Sequence, residues 1–220
     1  MGLCTFGVPQ ELALFLKERL ALNTFVETGT FGGGTAAWAA RHFPRVYSIE
    51  ASEKYWREAC TRHAGLDNVT FVHGHSPEQL AALRPQLDRP LFWLDAHWCG
   101  HDTAGEPSQC PLTDELAAIA AAALPQSAIL IDDARLFLAP PPAPNRWEDW
   151  PDVAAVIEAL DACGDLAIVV HDDVIVAVPR TLKPDLVSFL RALPPRSNEI
   201  MPPRRKPLLR GFLKKYRRRP

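Results

Sequence analysis

Residues 24–35 read TFVETGTFGGGT, and this segment is the first indication of how the chain folds. Its first five residues are mostly apolar or β-branched, which is typical of a short buried strand. Four glycines then occur within six residues, where the backbone can turn sharply and approach a ligand closely. The helix predicted to follow, through about residue 41, would present free N–H groups and the positive end of its dipole to that ligand.

Strand and helix patterns alternate outward from this segment. The predicted strands are 24–28, 46–50, 69–74, 91–96 and 128–133, and the predicted helices are 9–22, 52–63, 112–124, 152–163 and one that begins at Ser76. Ser52 is predicted to cap the helix over 52–63. Such alternation predicts a parallel sheet with helices on both faces. Residues 166–179 contain two β-rich runs instead, and they predict a closing antiparallel hairpin.

Composition restricts the class of protein. Hydrophobic residues make up 47% and charged residues 23% of the 220 residues, which excludes a disordered chain and a collagen-like repeat. No apolar run approaches the roughly 20 residues of a membrane-spanning helix, and the start lacks the pattern of a secretory signal. Five scattered cysteines favour a reduced, cytoplasmic protein. We therefore expect one α/β domain over residues 1–195.

Charge is distributed unevenly along the chain. Residues 203–220 carry nine of the 24 Lys and Arg residues and no acid, so the remainder has 15 basic and 26 acidic residues. Because the chain outside residues 203–220 is acidic, its charge does not predict a nucleic-acid partner. The basic, proline- and arginine-rich tail over 196–220 is compatible with an amphipathic helix on an anionic membrane surface, with RNA binding, or with disorder. A peripheral membrane contact through 203–220 therefore stays open alongside those alternatives.

A second feature is Glu50, at the end of the second predicted strand and 21 residues after Gly29. An acid at this position can accept hydrogen bonds from both hydroxyls of a ribose. The glycine loop does not match the phosphate-binding GxxxxGK[ST] pattern, because no lysine follows it. Nor does it match the dinucleotide pattern G-x-G-x-x-G, because Phe31 occupies the middle position. A plain strand-to-helix turn and a solvated glutamate are the structural alternatives for the two features.

Together these segments resemble a class I methyltransferase that uses S-adenosylmethionine. The resemblance covers about residues 20–180 and rests on VETGTFGGGT, VYSIEAS, VTFVHGHSPEQL and the closing hairpin. It implies a Rossmann-like α/β fold with a seven-stranded, mostly parallel sheet. It also implies that the glycine loop faces the amino-acid part of the cofactor, that the second-strand acid holds the ribose, and that the segment after the third strand lies beside the adenine. The cofactor-binding residues implied are Glu27, Gly29, Thr30, Gly33, Glu50, Ser76 and Asp95. His75 stands where many members have an acid.

Acidic residues follow the fourth and fifth predicted strands. Asp95 and His97 lie at the end of PLFWLDAH, and Asp132 and Asp133 lie at the end of AILIDD. The ends of neighbouring strands meet beside the ligand crevice of a doubly wound sheet. Converging carboxylates repel one another unless a cation compensates them, and Mg²⁺ prefers a few carboxylates together with water and substrate. The alternative is that some of these acids only cap helices or bind loop backbone.

The motifs DAH, IDDARLF and CPLTDEL are similar to those of metal-dependent macrolide-sugar O-methyltransferases. That similarity implies that Asp95, Asp132 and Asp133 bind the metal, and that His97 stands where this type has its general base. A histidine suits proton transfer, because its unperturbed pKa is near neutral. The alternatives for His97 are a loop histidine bonded to backbone, or one ligand of a zinc site formed by His97, Cys99, His101 and Cys110.

Two loops beyond the strand ends are rich in aromatic residues and arginine. They contain Trp98, Trp147 and Trp150, with Arg135 and Arg146 nearby. Aromatic faces and planar donors suit a sugar or another polyhydroxylated ring, whereas a packed lid is the structural alternative. We therefore predict a methyltransferase for a small hydroxylated, sugar-like acceptor, with Asp95 and His97 as catalytic residues. A nicotinamide-dependent oxidoreductase and a non-catalytic protein that binds a partner or a membrane surface are the rival interpretations.

Overall fold

The computed structural model describes residues 7–98, 108–124 and 126–194. Its strands form one seven-stranded sheet in the spatial order β3-β2-β1-β4-β5-β7-β6. The strands are β1 (Thr24–Thr28), β2 (Arg45–Glu50), β3 (Val69–His73), β4 (Pro90–Leu94), β5 (Ala128–Ile131), β6 (Leu166–His171) and β7 (Val174–Pro179). Strands β1 to β5 pair in parallel, and β7 pairs antiparallel with both β5 and β6. The predicted α/β fold with a closing hairpin is confirmed.

Eight α-helices are described, and helices cover both faces of the sheet. They are α1 (Gln10–Leu20), α2 (Gly34–Ala39), α3 (Glu53–Arg62), α4 (Ser76–Leu83), α5 (Leu112–Ala120), α6 (Arg135–Leu138), α7 (Val153–Asp161) and α8 (Lys183–Ala192). Successive side chains of a strand face opposite sides of the sheet. Phe25 and Trp93 therefore pack with α1, α2 and α8, while Val26 and Phe92 pack with α4, α5 and α7. Burial on both faces explains why these strands are nearly continuous apolar runs.

Two predicted strands end earlier than expected. Strand β4 ends at Leu94 and β5 ends at Ile131, two residues before the predicted boundaries in each case. At Asp133 the backbone adopts φ 56°, in the left-handed region that an extended strand does not enter. The acidic residues that follow these strands therefore lie on loops, where their side chains are not restricted to the alternating faces of the sheet.

Helix ends also differ in detail from the predictions. Ser52 occupies the N-cap position of α3, but its side chain makes no capping hydrogen bond. Its backbone N–H instead donates to the carboxylate of Glu50 at 2.8 Å.

Helix α8 was not predicted from the sequence. Leu186, Phe189 and Leu190 nevertheless have helical spacing and pack on the core. Pro184 lies in the first turn of this helix, where proline is favoured.

Some predictions concern residues outside the described ranges. These are the basic tail and its boundary at 195–196, together with Cys99 and His101 of the zinc alternative. They stay predictions. Among the helices of the described ranges, none is long and apolar enough to cross a membrane.

The turn of the closing hairpin is joined to the loop after β5 by a buried acid. The side chain of Asp173 is 4% exposed. Its carboxylate accepts a hydrogen bond from the backbone N–H of Arg135 at 2.9 Å and forms an ion pair with the Arg135 guanidinium. Its carbonyl oxygen accepts the N–H of Ala134 at 2.8 Å. Since Ala134 and Arg135 follow Asp132 and Asp133 directly, this contact fixes the loop that carries both acids.

Loss of this buried contact should destabilise the protein strongly. Asp173→Ala removes a buried acceptor from the backbone N–H and the half-exposed guanidinium of Arg135, and we expect a loss of about 1–3 kcal/mol in the free energy of unfolding. Asp165 is a matched control, because it also pairs with an arginine of the hairpin region, Arg180, but is 78% exposed. Asp165→Ala should cost less than about 1 kcal/mol. Urea unfolding measures both changes, and equal losses would contradict an anchoring role for Asp173.

Candidate ligand and active site

A cavity of about 830 Å³ lies over the carboxyl ends of β1, β2, β4 and β5. Ligand crevices of open α/β sheets lie at this edge. Most of the predicted site residues line the cavity: Glu27, Gly29, Thr30, Glu50, Ser76, Asp95, His97, Asp132 and Asp133. Gly33 is the exception within the set. It is the N-cap residue of α2, with φ 73°, and a side chain there would meet the ring of His63 rather than a ligand.

Gly29 is placed where no other residue fits. Its φ is 86°, and a Cβ atom built on it would lie 2.3 Å from the carbonyl oxygen of Asp95. Its N–H donates to the carbonyl of Ile49 at 2.9 Å. The backbone of the loop after β1 is therefore in direct contact with the backbone at the end of β4. This loop lines the cavity.

Glu50 organises the same loop from the neighbouring strand. One carboxylate oxygen accepts the backbone N–H of Phe31 at 2.9 Å, and the other accepts the N–H of Ser52 at 2.8 Å. Phe31 has φ 44°, and its exposed ring packs against Tyr55 with the ring centroids 4.9 Å apart. Glu50 is thus fixed at the cavity wall, and each oxygen retains a lone pair for a ligand.

Glu27 is a buried acid beneath the glycine loop. Ser48 Oγ donates to its carboxylate, and the Ser48 and Thr30 hydroxyl oxygens lie 2.7 Å apart. Burial raises the pKa of Glu27 to about 8, although the Ser48 hydroxyl stabilises the charged form, and the nearby Asp95 adds to the rise. A cationic group of a ligand bound in the cavity would favour the ionised form of Glu27.

Asp95 and Asp132 form a crowded acidic pair just after the ends of β4 and β5. Burial raises the pKa of Asp95 to about 6, with His97 opposing the rise and Asp133 adding to it. Burial and the charge of Asp95 raise the pKa of Asp132 to about 7. Like charges in partial burial disfavour ionisation of both groups. This pair can therefore exchange a proton near neutral pH or accept a cation.

Asp133 has a different environment from Asp132, although the two are adjacent in sequence. Its Oδ2 lies 2.8 Å from His97 Nε2, and its Oδ1 pairs with the Arg135 guanidinium. Burial opposes ionisation of Asp133, but the hydrogen bonds from His97 and Arg135 outweigh it and lower its pKa to about 2. The Nδ1 atom of His97 lies 3.5 Å from Asp95 Oδ1. Asp133 therefore orients the imidazole of His97 beside Asp95.

The predicted three-aspartate metal site fits this arrangement only in part. In the described ranges, no group of three or more His, Cys, Asp and Glu side chains is arranged to hold a metal ion. The negative charge of Asp133 is already compensated by Arg135, and its other oxygen lies against His97, so it attracts a cation less strongly. Asp95 and Asp132 fit better, because Mg²⁺ is usually bound by one or two carboxylates with waters and substrate completing the shell. A metal held by Asp95, Asp132 and Asp133 together stays a prediction.

Two of the four residues of the zinc alternative lie in the described ranges. Burial raises the pKa of the Cys110 thiol to about 12, which opposes the thiolate form that zinc requires. His97 faces Asp95 and Asp133. Neither residue belongs to a group of three or more described side chains that could hold a metal ion.

The three tryptophans of the acceptor hypothesis do not line the cavity as described. Trp98 and Trp150 are buried, whereas Trp147 is 64% exposed at the surface. Trp150 packs against the His97 ring with the centroids 5.4 Å apart, and its Nε1 donates to Gln109. Large aromatic side chains gain more from core packing than a polar pocket offers them. The packed-lid interpretation therefore holds for Trp98 and Trp150, and the pocket interpretation was wrong for them.

Several residues of the site were missed at the level of sequence. Ser48 lies on the second strand and bonds Glu27, and Asp173 holds the arginine that neutralises Asp133. Glu115 lies in the first turn of α5 and is 1% exposed. Helical spacing places it with Leu112 and Leu116 on the buried face, and this spacing was a usable signal. The partners of Ser48 and Asp173 come from distant segments, and no local pattern indicates them.

Solved structures share this fold. A proposed caffeoyl-CoA O-methyltransferase from Staphylococcus aureus is 14% identical with a TM-score of 0.55, over 77% of this chain and 81% of that one. The cofactor-bound protein Rv0187 from MTB is 21% identical with a TM-score of 0.51, over 81% of this chain and 84% of that one. No family model and no curated protein matches the sequence. The chain therefore has the fold of the class I S-adenosylmethionine-dependent methyltransferases.

The raised pKa of Glu27 predicts how stability depends on pH without ligand. Because the pKa rises from 4.5 to about 8 on folding, the folded state retains a proton that the unfolded chain releases between these values. The contribution of Glu27 is fully present below about pH 4.5 and is lost toward pH 8, by about 1.4 kcal/mol per pH unit. Urea unfolding at pH 5.5, 6.5 and 7.5 should show a shallower decline for Glu27→Gln than for wild type.

Glu58→Gln is the control for this measurement, because Glu58 is exposed on α3. Its pH dependence should match that of the wild type. If Glu27→Gln also declines as steeply as the wild type, Glu27 does not hold the extra proton.

Proposed function

We propose that the protein transfers a methyl group from S-adenosylmethionine to a hydroxyl of a small, sugar-like acceptor. The observation that carries this proposal is the cavity itself. Five acids line it, Glu27, Glu50, Asp95, Asp132 and Asp133, against few basic side chains, of which Arg135 and His97 are engaged by these acids. S-adenosylmethionine is a cationic ligand with a sulfonium and an ammonium group. An acidic cavity on this fold suits such a ligand and disfavours an anionic dinucleotide.

Different residues that line the cavity would serve different parts of the reaction. Glu27 and the glycine loop would hold the amino-acid part of the cofactor, Glu50 the ribose, and Ser76 the adenine side. Asp95, His97 and Asp132 would face the acceptor. The donor carbon is already activated by its sulfonium, so the protein must mainly align the two reactants and remove the acceptor proton.

His97 is the proposed general base. Asp133 accepts a hydrogen bond from Nε2 of the imidazole, and Nδ1, which faces Asp95, would take the acceptor proton. Arg135 pairs with Asp133 and keeps it ionised, which holds the imidazole in this tautomer. Asp95 lies next to Nδ1 and would stabilise the imidazolium after proton transfer.

The proposal includes assistance of the methyl transfer by a magnesium ion. Asp95 and Asp132 are the residues that would hold the ion. When bound, Mg²⁺ would lower the pKa of the acceptor hydroxyl. Asp133 would support His97 rather than bind metal, because Arg135 compensates its charge.

The cofactor proposal is tested through Glu50. Glu50→Ala removes an ionised acceptor for the ribose hydroxyls, and S-adenosylhomocysteine binding should weaken by about 1.5–3 kcal/mol. Calorimetric titration measures the change, with Glu58→Ala as an exposed control that should bind like the wild type. Equal affinities of wild type and Glu50→Ala would remove Glu50 from the site. Binding of NADH in place of S-adenosylhomocysteine would favour the oxidoreductase interpretation.

The metal proposal is tested by comparing two adjacent aspartates. Mn²⁺ accepts similar oxygen ligands, and bound Mn²⁺ can be counted by electron paramagnetic resonance. Asp132→Asn should weaken Mn²⁺ binding at least about tenfold, whereas Asp133→Asn should change it less than about threefold. Equal losses would restore the three-aspartate site. Absence of Mn²⁺ binding in the wild type, with S-adenosylhomocysteine present, would refute metal assistance.

A further inference from the structure

The end of α3 contacts the outer side of the glycine loop through two hydrogen bonds that the proposed reaction does not use. The carbonyl oxygen of Gly32 accepts a hydrogen bond from the Arg62 guanidinium at 2.9 Å and lies 3.1 Å from His63 Nε2. A carbonyl oxygen can only accept, so Nε2 of His63 carries the proton of this contact. Arg62 is the last residue of α3, and His63 is its C-cap residue.

Two glycines of the loop leave room for these side chains. A Cβ atom built on Gly33 would lie 2.6 Å from the His63 ring, and one built on Gly32 would lie 3.2 Å from the Arg62 guanidinium. Gly33 also has φ 73°, which favours glycine. This part of the glycine loop is therefore shaped to receive the end of α3.

The loop segment that α3 contacts is a tight turn with an unfavourable backbone conformation. The N–H of Gly33 donates to the carbonyl of Thr30 at 2.8 Å and closes the turn. Phe31 lies within it at φ 44°, in the left-handed region that is unfavourable for a residue with a side chain. Such a conformation persists only where the surrounding structure fixes it.

The contacts around the turn supply this restraint. Glu50 accepts the N–H of Phe31, and Tyr55 of α3 packs against the Phe31 ring. The carbonyl of Gly32 and the N–H of Gly33 belong to one trans peptide and point in opposite directions. The donors at the end of α3 that hold this carbonyl outward therefore also direct the N–H into the turn.

We propose that His63 and Arg62 are positioning residues that hold the glycine loop in the conformation that binds the amino-acid part of the cofactor. This inference rests on the proposed function, in which that loop faces the amino-acid part. Neither side chain is among the described residues that line the cavity, so both act through Gly32. When the two donors are removed, the turn relaxes, and ligand binding has to restore its conformation at a cost in affinity.

Two ligands distinguish an effect on this loop from a general effect on the protein. S-adenosylhomocysteine carries the amino-acid part, whereas 5′-methylthioadenosine has the same nucleoside and sulfur with a methyl group in its place. A change confined to the glycine loop alters the affinity for the first ligand only. A general loss of structure weakens the binding of both. The ratio of the two affinities is therefore the informative quantity.

The test is calorimetric titration of the full chain with both ligands. The wild type should prefer S-adenosylhomocysteine by at least about tenfold, because its charged groups form additional hydrogen bonds. His63→Leu should lower this preference at least about threefold, and Arg62→Met, at an exposed residue, less than about twofold. The double variant should lower it at least about tenfold, because both donors to the Gly32 carbonyl are then removed.

The chain offers matched controls for both substitutions. His73 also stacks on an aromatic ring, that of Trp56, but it is exposed at the end of β3. Arg57 is exposed on α3 and pairs with Glu53. His73→Leu and Arg57→Met, alone or together, should leave the preference as in the wild type. His63→Gln retains an N–H donor of similar reach, and it should keep the preference within about twofold of the wild type.

The outcomes separate this inference from the proposed function. An unchanged preference in the double variant, or an equal loss of affinity for both ligands, overturns the positioning role of His63 and Arg62. Equal binding of both ligands by the wild type also overturns it, but leaves the nucleoside part of the cofactor proposal standing. Failure of the wild type to bind either ligand overturns the proposed function together with this inference.

Discussion

The close approach of the first loop to the fourth strand sets the shape of the whole ligand-facing edge. At Gly29 the backbone lies so near the carbonyl of Asp95 that even a methyl group has no room. The neighbouring N–H of Phe31 is in turn held by the carboxylate of Glu50 from β2. These contacts connect the carboxyl ends of three adjacent strands, β2, β1 and β4. The cavity lies over the connected strand ends.

Electrostatics then divides the cavity into regions with different chemistry. Asp132 and Asp133 are adjacent in sequence, yet burial beside Asp95 raises the pKa of Asp132 while His97 and Arg135 lower that of Asp133. Carboxyl groups whose pKa values are shifted in opposite directions can take different roles in one site. The buried Asp173 of the closing hairpin maintains this difference, because it binds the arginine that neutralises Asp133. The antiparallel hairpin is therefore part of the site as well as of the fold.

Local patterns were sufficient for the strands, for the glycine loop and for the acids at the strand ends. Parallel strands that are buried on both faces are apolar, and a loop that packs against a neighbouring backbone needs glycine. Both structural features are therefore visible as local residue patterns in the sequence. The same reasoning failed for Trp98 and Trp150, which are as compatible with a packed core as with a pocket. It also failed for Ser52, whose backbone N–H binds Glu50 although its side chain has the chemistry of a cap.

The amino-acid sequence alone determined the order of the strands, the sheet with its closing hairpin, and most of the predicted site residues that line the cavity. These depend on residue type and spacing, which are local properties. Only the tertiary structure decided which acid is neutralised by an arginine and which acids are crowded together. Those properties arise from charges and donors that lie far apart in the chain and meet only when the strands are assembled, as Arg135 meets Asp173. Because Coulomb and hydrogen-bond energies depend on distances in space, they cannot be inferred from separations along the chain.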